Sequence, residues 1–555
     1  MSNILINCTN TNETRDVVPG LSLSEIADFF GVKLQYSILG ASVNNQNVGL
    51  TYCVFQPKRI TFFDITNPEG RRMYIRSLLL MLYAAVSETM PGTELAVLHS
   101  VSKGLYCELY QGGSVVEPSA DDLKAIVDKM RDFNKRELPI ERREMQVEEA
   151  LKLLWPMPDS QRLISQHGDV YTTVHALAGH SAVMYGDMVP NTRIVDVFDV
   201  KSYYRGLLLQ VPGSINPEEI DPMTRQDKMF ATFIEFDRLQ ELLGIRRLAD
   251  LNDAIVKGDG PKIIQVAEAL HEKKVAEIAN MVAERRDKVR VVLIAGPSSS
   301  GKTTFSKRLA VQLTLNGINP VNLSIDNYFV NRDRTPRDAN GDYDFEAVEA
   351  IDVDFFNQQL LDLIAGKEIE IPKYSFIKGE RFFDGEKLQL DDKSVIVIEG
   401  THGLTPQLTP MIPADSKFKI YVAPLAGVNF DHLTRIPTTD NRLIRRIVRD
   451  YYTRGHNAEA TIAMWPSVRR GEDKFIYTNQ EEADVMFNTC LLYELAVLKA
   501  KAEPILLEVK HNSVHYAEAK RLLRFLSFFK PLAADSIPPT SIMREFLGGS
   551  SFIYD

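Results

Sequence analysis

Residues 289–315 read VRVVLIAGPSSSGKTTFSKRLAVQLTL, and the order of features in this stretch decides the fold. VRVVLIAG is a continuous apolar run, the pattern of a strand buried on both faces of a parallel sheet. Gly296-Pro-Ser-Ser-Ser-Gly301-Lys302-Thr303 then fits G-x-x-x-x-G-K-[ST] at every required position. The following residues keep Phe305, Leu309 and Leu313 at i, i+4 and i+8, one face of a helix expected over 303–315. The glycines let backbone N–H groups turn toward phosphate oxygens, and the helix N-terminus adds a favourable dipole. Gly296, Ser298, Ser299, Ser300, Gly301, Lys302, Thr303 and Thr304 are therefore the expected nucleotide-binding residues. Lys302 would bring charge to the β/γ-phosphates, and Thr303 a hydroxyl ligand to Mg²⁺.

Strand–helix alternation continues past this loop. VNLSI (321–325) reads as a strand, 354–364 as a helix, and SVIVIEG (394–400) and FKIYVA (418–423) as further strands. Apolar strands separated by helices imply a doubly wound α/β sheet covered on both faces. The second strand ends in Asp326 and the third in Glu399, both at the strand edge where such sheets bind ligands. Asp326 is placed to take a proton from an attacking hydroxyl, and Glu399 to hold a magnesium-bound water; an ordinary turn acid is the alternative for each. Further on, Asp440 is placed to cap a helix with Leu443, Ile444, Ile447 and Val448 on one face. Its other face displays Arg442, Arg445, Arg446 and Arg449, with Arg454 just beyond. Beside a phosphate loop, this is the charge expected of a lid that neutralises a transferring phosphoryl group. A solvated face and an RNA patch are the other readings.

The 555 residues carry 64 Lys+Arg against 74 Asp+Glu, a formal charge of −10. That balance excludes a protein whose whole surface is a nucleic-acid-binding field, while leaving local basic patches open. The start MSNILINCTN lacks the basic-then-apolar pattern of a signal peptide. The most apolar segment, 77–86, is about half the roughly 20 residues a membrane span requires. Cys8, Cys53, Cys107 and Cys490 have no metal-like spacing, so a reduced, cytoplasmic protein is expected, with no membrane partner. The first 60 or so residues read as short strands around one helix. An α/β region follows with a helix at 75–86, a Pro/Gly/Asn-rich boundary falls near 212–222, and 227–286 is helical by spacing. That helical stretch reads equally as a connector or as part of the domain after it.

Taken together, GPSSSGKTTF, SIDNYF, DYDFEAVEAID, IPKYSFIKGER, VIEG and RLIRRIVRDYYTRG resemble the motifs of the uridine kinase/phosphoribulokinase family of P-loop kinases, over roughly 289–504. The resemblance implies transfer of the γ-phosphoryl of ATP, with Mg²⁺, to a hydroxyl. Lys302, Arg449 and Arg454 would lie on the phosphates, Asp326 would be the base, and Asp344, Tyr374 and Arg381 would contact the acceptor. In two places the chain departs from the family pattern. Ser375 stands where the family has Asp, and Gly379 replaces the His that helps hold a uracil edge in the pyrimidine kinases. A site without that polar partner is expected to discriminate bases less sharply, or to recognise another one.

The front end resembles two further modules. Residues 1–62 are similar to a β-grasp TGS domain. ILGASVNNQNV, at 38–48, belongs to that first module, and residues 66–225 are similar to the α+β editing-type second domain of threonyl-tRNA synthetase, through RRMYIRSLLLMLYAAVSETMPG, ERREMQVEEALKLL and YGDMVPNTRIVDVFDV. The synthetase's HxxxH and CxxxH positions read here as Ser77 and Met81, then Met184 and Met188. A hydroxyl and thioethers do not supply that polar constellation, so no aminoacyl-tRNA hydrolysis is expected. His167, His175 and His180 nearby read as surface or core residues. The expected organisation is a TGS-like domain (1–62), a synthetase-like domain (66–225), a helical connector (226–286), a kinase domain (287–510) and a C-terminal helix and tail (511–555). The whole resembles bacterial TGS-domain nucleoside kinases. The leading expectation is a nucleoside kinase, uridine or cytidine favoured. The alternatives are a kinase for another sugar alcohol, and a nucleotide-gated regulator whose front half binds RNA, tRNA or a regulatory ligand. A homo-oligomer is left open.

Overall fold

A computed structural model describes residues 3–337, 341, 343–344, 347–375, 378–425 and 427–554. In the C-terminal half, five parallel strands are ordered Asn319–Ser324, Ser394–Gly400, Val291–Ala295, Lys417–Ala423 and Val485–Asn488. The strand leading into the phosphate loop is thus central, and chain order reverses on either side of it. That is the topological switch point at which doubly wound sheets bind ligands. Every residue of this central strand is buried, as its unbroken apolar run requires.

The helix after the loop runs Lys302–Leu315. Phe305, Leu309 and Leu313 on it are fully buried, each stabilising by about 1.5–3 kcal/mol relative to exposure. The 227–286 stretch forms three helices, Asp227–Leu243, Leu248–Val256 and Gly260–Glu284. Phe233, Ile263, Val275 and Val282 on them share one hydrophobic core with Val292, Phe305 and Phe418 of the sheet layer. The same core takes in Val101, Tyr106, Tyr203 and Leu208 of the front end, so the stretch packs against both of its neighbours. Buried Arg308 on the loop helix also reaches Glu272 on the third of these helices at 2.8 Å.

The front end consists of two smaller units. A five-stranded sheet, with Ile4–Cys8 and Lys58–Phe63 paired in parallel at its centre, carries the helix Leu23–Phe30, which is closed by a Ser22/Glu25 capping box and Gly31 in the left-handed region. This is the β-grasp arrangement. An α+β unit follows around the helix Pro68–Thr89, with an antiparallel sheet built from strands between Glu94–Val101 and Gly206–Gln210 and a separate three-stranded sheet. Ser77, Met81, Met184 and Met188 are all buried there, and Ser77 Oγ donates to Met73 O at 2.8 Å and accepts from Val189 N–H at 3.0 Å. These positions form a packed apolar core. His175 is buried and His167 is bound to Ser527 and Asp169.

The C-terminal tail is folded back into the core of the C-terminal half: Ile537, Ile542, Met543 and Phe546 are buried among its residues. Among the described residues no helix is long and apolar enough to cross a membrane, and the four cysteines are free.

Candidate active site

The phosphate loop takes its shape from backbone constraints that the sequence supplies. A Cβ on Gly296 would lie 1.9 Å from the carbonyl oxygen of Val422, so only glycine fits beside the neighbouring strand. Ser299 and Gly301 have φ of 57° and 87°. These left-handed residues turn successive N–H groups inward to form an anion-binding concavity. Lys302 folds over the loop, its Nζ donating to Gly296 O at 2.9 Å and Pro297 O at 3.1 Å. Burial pulls the Lys302 ammonium below its ordinary range, and Glu399 is the leading opposing charge.

Three expected residues meet at the strand edge. Thr303 Oγ1 donates to Glu399 Oε1 at 2.9 Å. The other Glu399 oxygen is buried with no hydrogen-bond partner among the described residues, as are the hydroxyls of Ser299 and Ser300. Loss of solvation raises the Glu399 carboxyl; Lys302 and Thr303 oppose this, while Glu545 and Asp326 add to it. Asp326 lies in the short turn Ile325–Tyr328 directly after its strand. Its side chain is exposed, yet the protein packed around it raises its pKa by desolvation, and Lys302 and Arg454 oppose the rise. The orphaned oxygens, the loop concavity and a hydroxyl–carboxylate pair form a donor set that fits a nucleotide's phosphates and one Mg²⁺. Magnesium takes few protein ligands and completes its octahedron with phosphate and water, so a dedicated protein cage is not needed. Among the described residues there is none.

The arginine helix, Thr438–Thr453, differs from the sequence expectation. Asp440 does not cap it; it lies in the first turn and pairs with Arg521 at 2.7 Å. Arg442 and Arg445 are not displayed but fully buried, paired with Glu472 at 2.7 Å and Glu494 at 2.5 Å. They anchor the helix rather than serve as a lid. Arg446, Arg449 and Arg454 do gather at the site, around the single buried carboxylate of Asp450. Arg446 also donates to Ser298 Oγ at 2.8 Å, which places positive charge against the phosphate loop.

The expected acceptor residues are less uniform. Tyr374 packs 5.6 Å from Phe329, in the segment just after Asp326. The Asp344 N–H bonds to Pro336 O at 2.8 Å, on the loop leading away from that turn. Arg381 was expected on the acceptor, but its guanidinium is held by Asp352 at 3.0 Å and by the carbonyls of Tyr328 and Phe329. It braces the Asp326 turn. Asp342, Phe345, Glu346, Phe376 and Ile377 of the acceptor-like stretches lie outside the described residues. Gly379 has φ 73°, and a Cβ there would meet Arg332 Nε at 2.7 Å. Local backbone geometry thus accounts for a glycine at this position.

Three contributors are not evident from the motifs. Glu472 Oε1 accepts the Ser298 N–H at 3.0 Å and so ties the phosphate loop to the Ala458–Phe475 helix. Thr304 Oγ1 donates to Glu545 at 2.7 Å and lies 2.9 Å from the Tyr554 hydroxyl, both on the tail.

Residues 291–492 match the phosphoribulokinase/uridine kinase family model. The chain is 40% identical over 119 residues to a uridine kinase of Schizosaccharomyces pombe, covering 21% of this chain and 25% of that protein. It is 29% identical over 207 residues to a uridine kinase of Ligilactobacillus salivarius, covering 37% of this chain and 87% of that one. It is also 27% identical over 213 residues to a threonine–tRNA ligase of Rubrobacter xylanophilus, covering 37% of this chain and 33% of the ligase. The matches to the yeast kinase and the ligase thus span about a quarter and a third of those relatives. With its central strand, phosphate loop and edge carboxylates in place, the C-terminal half of the chain contains a phosphoribulokinase/uridine kinase family domain, behind a front end similar to threonyl-tRNA synthetase.

Proposed function

We propose that the chain is an ATP- and Mg²⁺-dependent nucleoside kinase that phosphorylates the 5′-hydroxyl of a nucleoside, uridine or cytidine favoured. The observation that carries this reading is the meeting of Thr303 and Glu399 beside the loop, with Asp326 at the end of the adjacent strand. Bound Mg²⁺-ATP supplies the transferable phosphoryl group and the cation that spreads its charge. The loop N–H groups and Lys302 hold the phosphates, and Thr303 and Glu399 hold the ion. Asp326 would orient the acceptor hydroxyl and take its proton, and Arg449 and Arg454 would balance charge on the transferring phosphoryl group. Phosphoryl transfer asks little covalent chemistry of a protein, so this positioned charge is the main contribution. Tyr374 offers a ring face to a base and Asp344 a carboxylate to ribose hydroxyls.

The experiment is a panel of nucleosides and sugar alcohols with ATP, read by ADP release and product mass. A nucleoside 5′-monophosphate from uridine or cytidine supports the proposal. Turnover of purine nucleosides alone would remove the pyrimidine preference, and turnover of a sugar alcohol alone would replace the substrate class.

A further inference from the structure

A cavity of about 1590 Å³ lies between the front end and the kinase half rather than at the strand edge. Pro297 of the phosphate loop forms part of its wall, but Lys302, Thr303, Asp326 and Glu399 do not. Its lining holds fourteen Lys or Arg side chains against six Asp or Glu, in a protein whose net charge is −10.

Much of that positive charge is already neutralised. Arg72 and Arg521 share Glu518, and Arg442 and Arg469 share Glu472. Six of the lining cations have no carboxylate within 4 Å among the described residues: Arg71, Arg435, Arg470, Lys474, Lys520 and Arg524. They come from both sides of the cavity. Arg71 lies on the Pro68–Thr89 helix, where its guanidinium donates only to the carbonyls of Pro212 and Gly213. Arg435 lies just before the Thr438–Thr453 helix and donates to Ile436 O. Burial pulls its guanidinium down to about 10, so it remains charged at neutral pH while poorly solvated. Thr438 and Thr439 at that helix's first turn also face the cavity, and no side chain caps the turn. The dipole there favours negative charge as well.

Gathering like charges around one cleft costs energy unless a counter-charge occupies it. Guanidinium groups suit phosphate because they bind it through paired N–H donors. The volume exceeds the roughly 300–1,000 Å³ usual for a single drug-sized ligand, so several phosphates fit. An intact duplex, which needs an open groove or face, does not. Tyr185, Phe430 and Phe528 pack together along one wall, with Tyr185 and Phe430 stacked 5.0 Å apart, and give an apolar surface beside the charges.

We propose that this cavity is a second anion site, separate from the catalytic one, that binds a ligand carrying several phosphates, with Arg71 and Arg435 as its inner contacts. The ligand is either a small polyphosphate or the phosphorylated end of a single strand; the phosphate chemistry is common to both.

Binding is tested by calorimetry on the full chain carrying Lys302→Ala, which weakens phosphate binding at the loop. The probes are inorganic tripolyphosphate and a 5′-phosphorylated tetranucleotide. At least one probe should bind with one site per chain, and the tighter of the two names the source. Adding Arg435→Gln should weaken that binding at least tenfold. The pair Arg470→Glu and Arg524→Glu, at exposed positions, should do the same without touching buried structure. Absence of binding by both probes, or binding unchanged in the Arg470/Arg524 variant, overturns the site. This readout does not depend on turnover, so it stands or falls separately from the kinase proposal.

Discussion

The hydroxyl of Thr303 donates to the carboxylate of Glu399 across 2.9 Å, joining the first turn of the loop helix to the end of a strand 96 residues further on. This contact brings together the two side chains proposed to hold the metal.

Glu399→Gln keeps the shape and the hydrogen bond but removes the charge. The Mg²⁺ concentration needed for half-maximal activity should rise at least tenfold, with no loss of thermal stability. Measuring rate against free Mg²⁺ checks this, and an unchanged curve would take Glu399 out of the metal site.

Asp326 works as a base only when ionised, and its carboxyl is raised by desolvation and lowered by Lys302 and Arg454. The acid limb of the rate profile should therefore lie above the ordinary carboxylate range, with activity falling as pH drops through it. Arg454→Gln removes one opposing cation, so the limb should move to higher pH. A limb that stays put or moves lower would contradict this assignment; a pH series of kcat/KM decides.

Gly296→Ala would put a methyl group 1.9 Å from Val422 O. The loop must shift away from the sheet, at a cost of about 1–3 kcal/mol or more. ATP affinity and the thermal midpoint should fall together, measured by calorimetric titration and by melting.

Arg445 is fully buried against Glu494. Arg445→Met leaves that carboxylate without its charge partner, and breaking a buried pair from one side costs about 3–5 kcal/mol. Urea unfolding should show a clearly lower midpoint for the kinase half. Arg470→Met, on an exposed side chain, should leave it nearly unchanged.

The phosphate loop, the central sheet and the two edge acids were legible because each depends on local spacing: an apolar run, glycines at fixed offsets, a carboxylate where a strand stops. The arginine helix was half legible. Its spacing shows which residues share a face. It does not show that Glu472 and Glu494, 30 and 49 residues away, bury Arg442 and Arg445. Arg381 reads as a free cation until Asp352 and two carbonyls are seen to hold it. The tail reads as a Pro/Gly/Ser-rich end, yet Glu545 lies 241 residues from Thr304 and bonds to it. Likewise, the charge of −10 conceals a cavity whose lining is strongly positive, because composition does not record which residues face one another.

The central claim is that the meeting of loop and edge acids transfers a phosphoryl group. Asp326→Asn tests it most directly, with ATP affinity and turnover measured on the same preparation. ATP binding should stay within about twofold of wild type, and turnover of the best nucleoside should fall by about 10²–10⁴-fold. Turnover at the wild-type rate would contradict it.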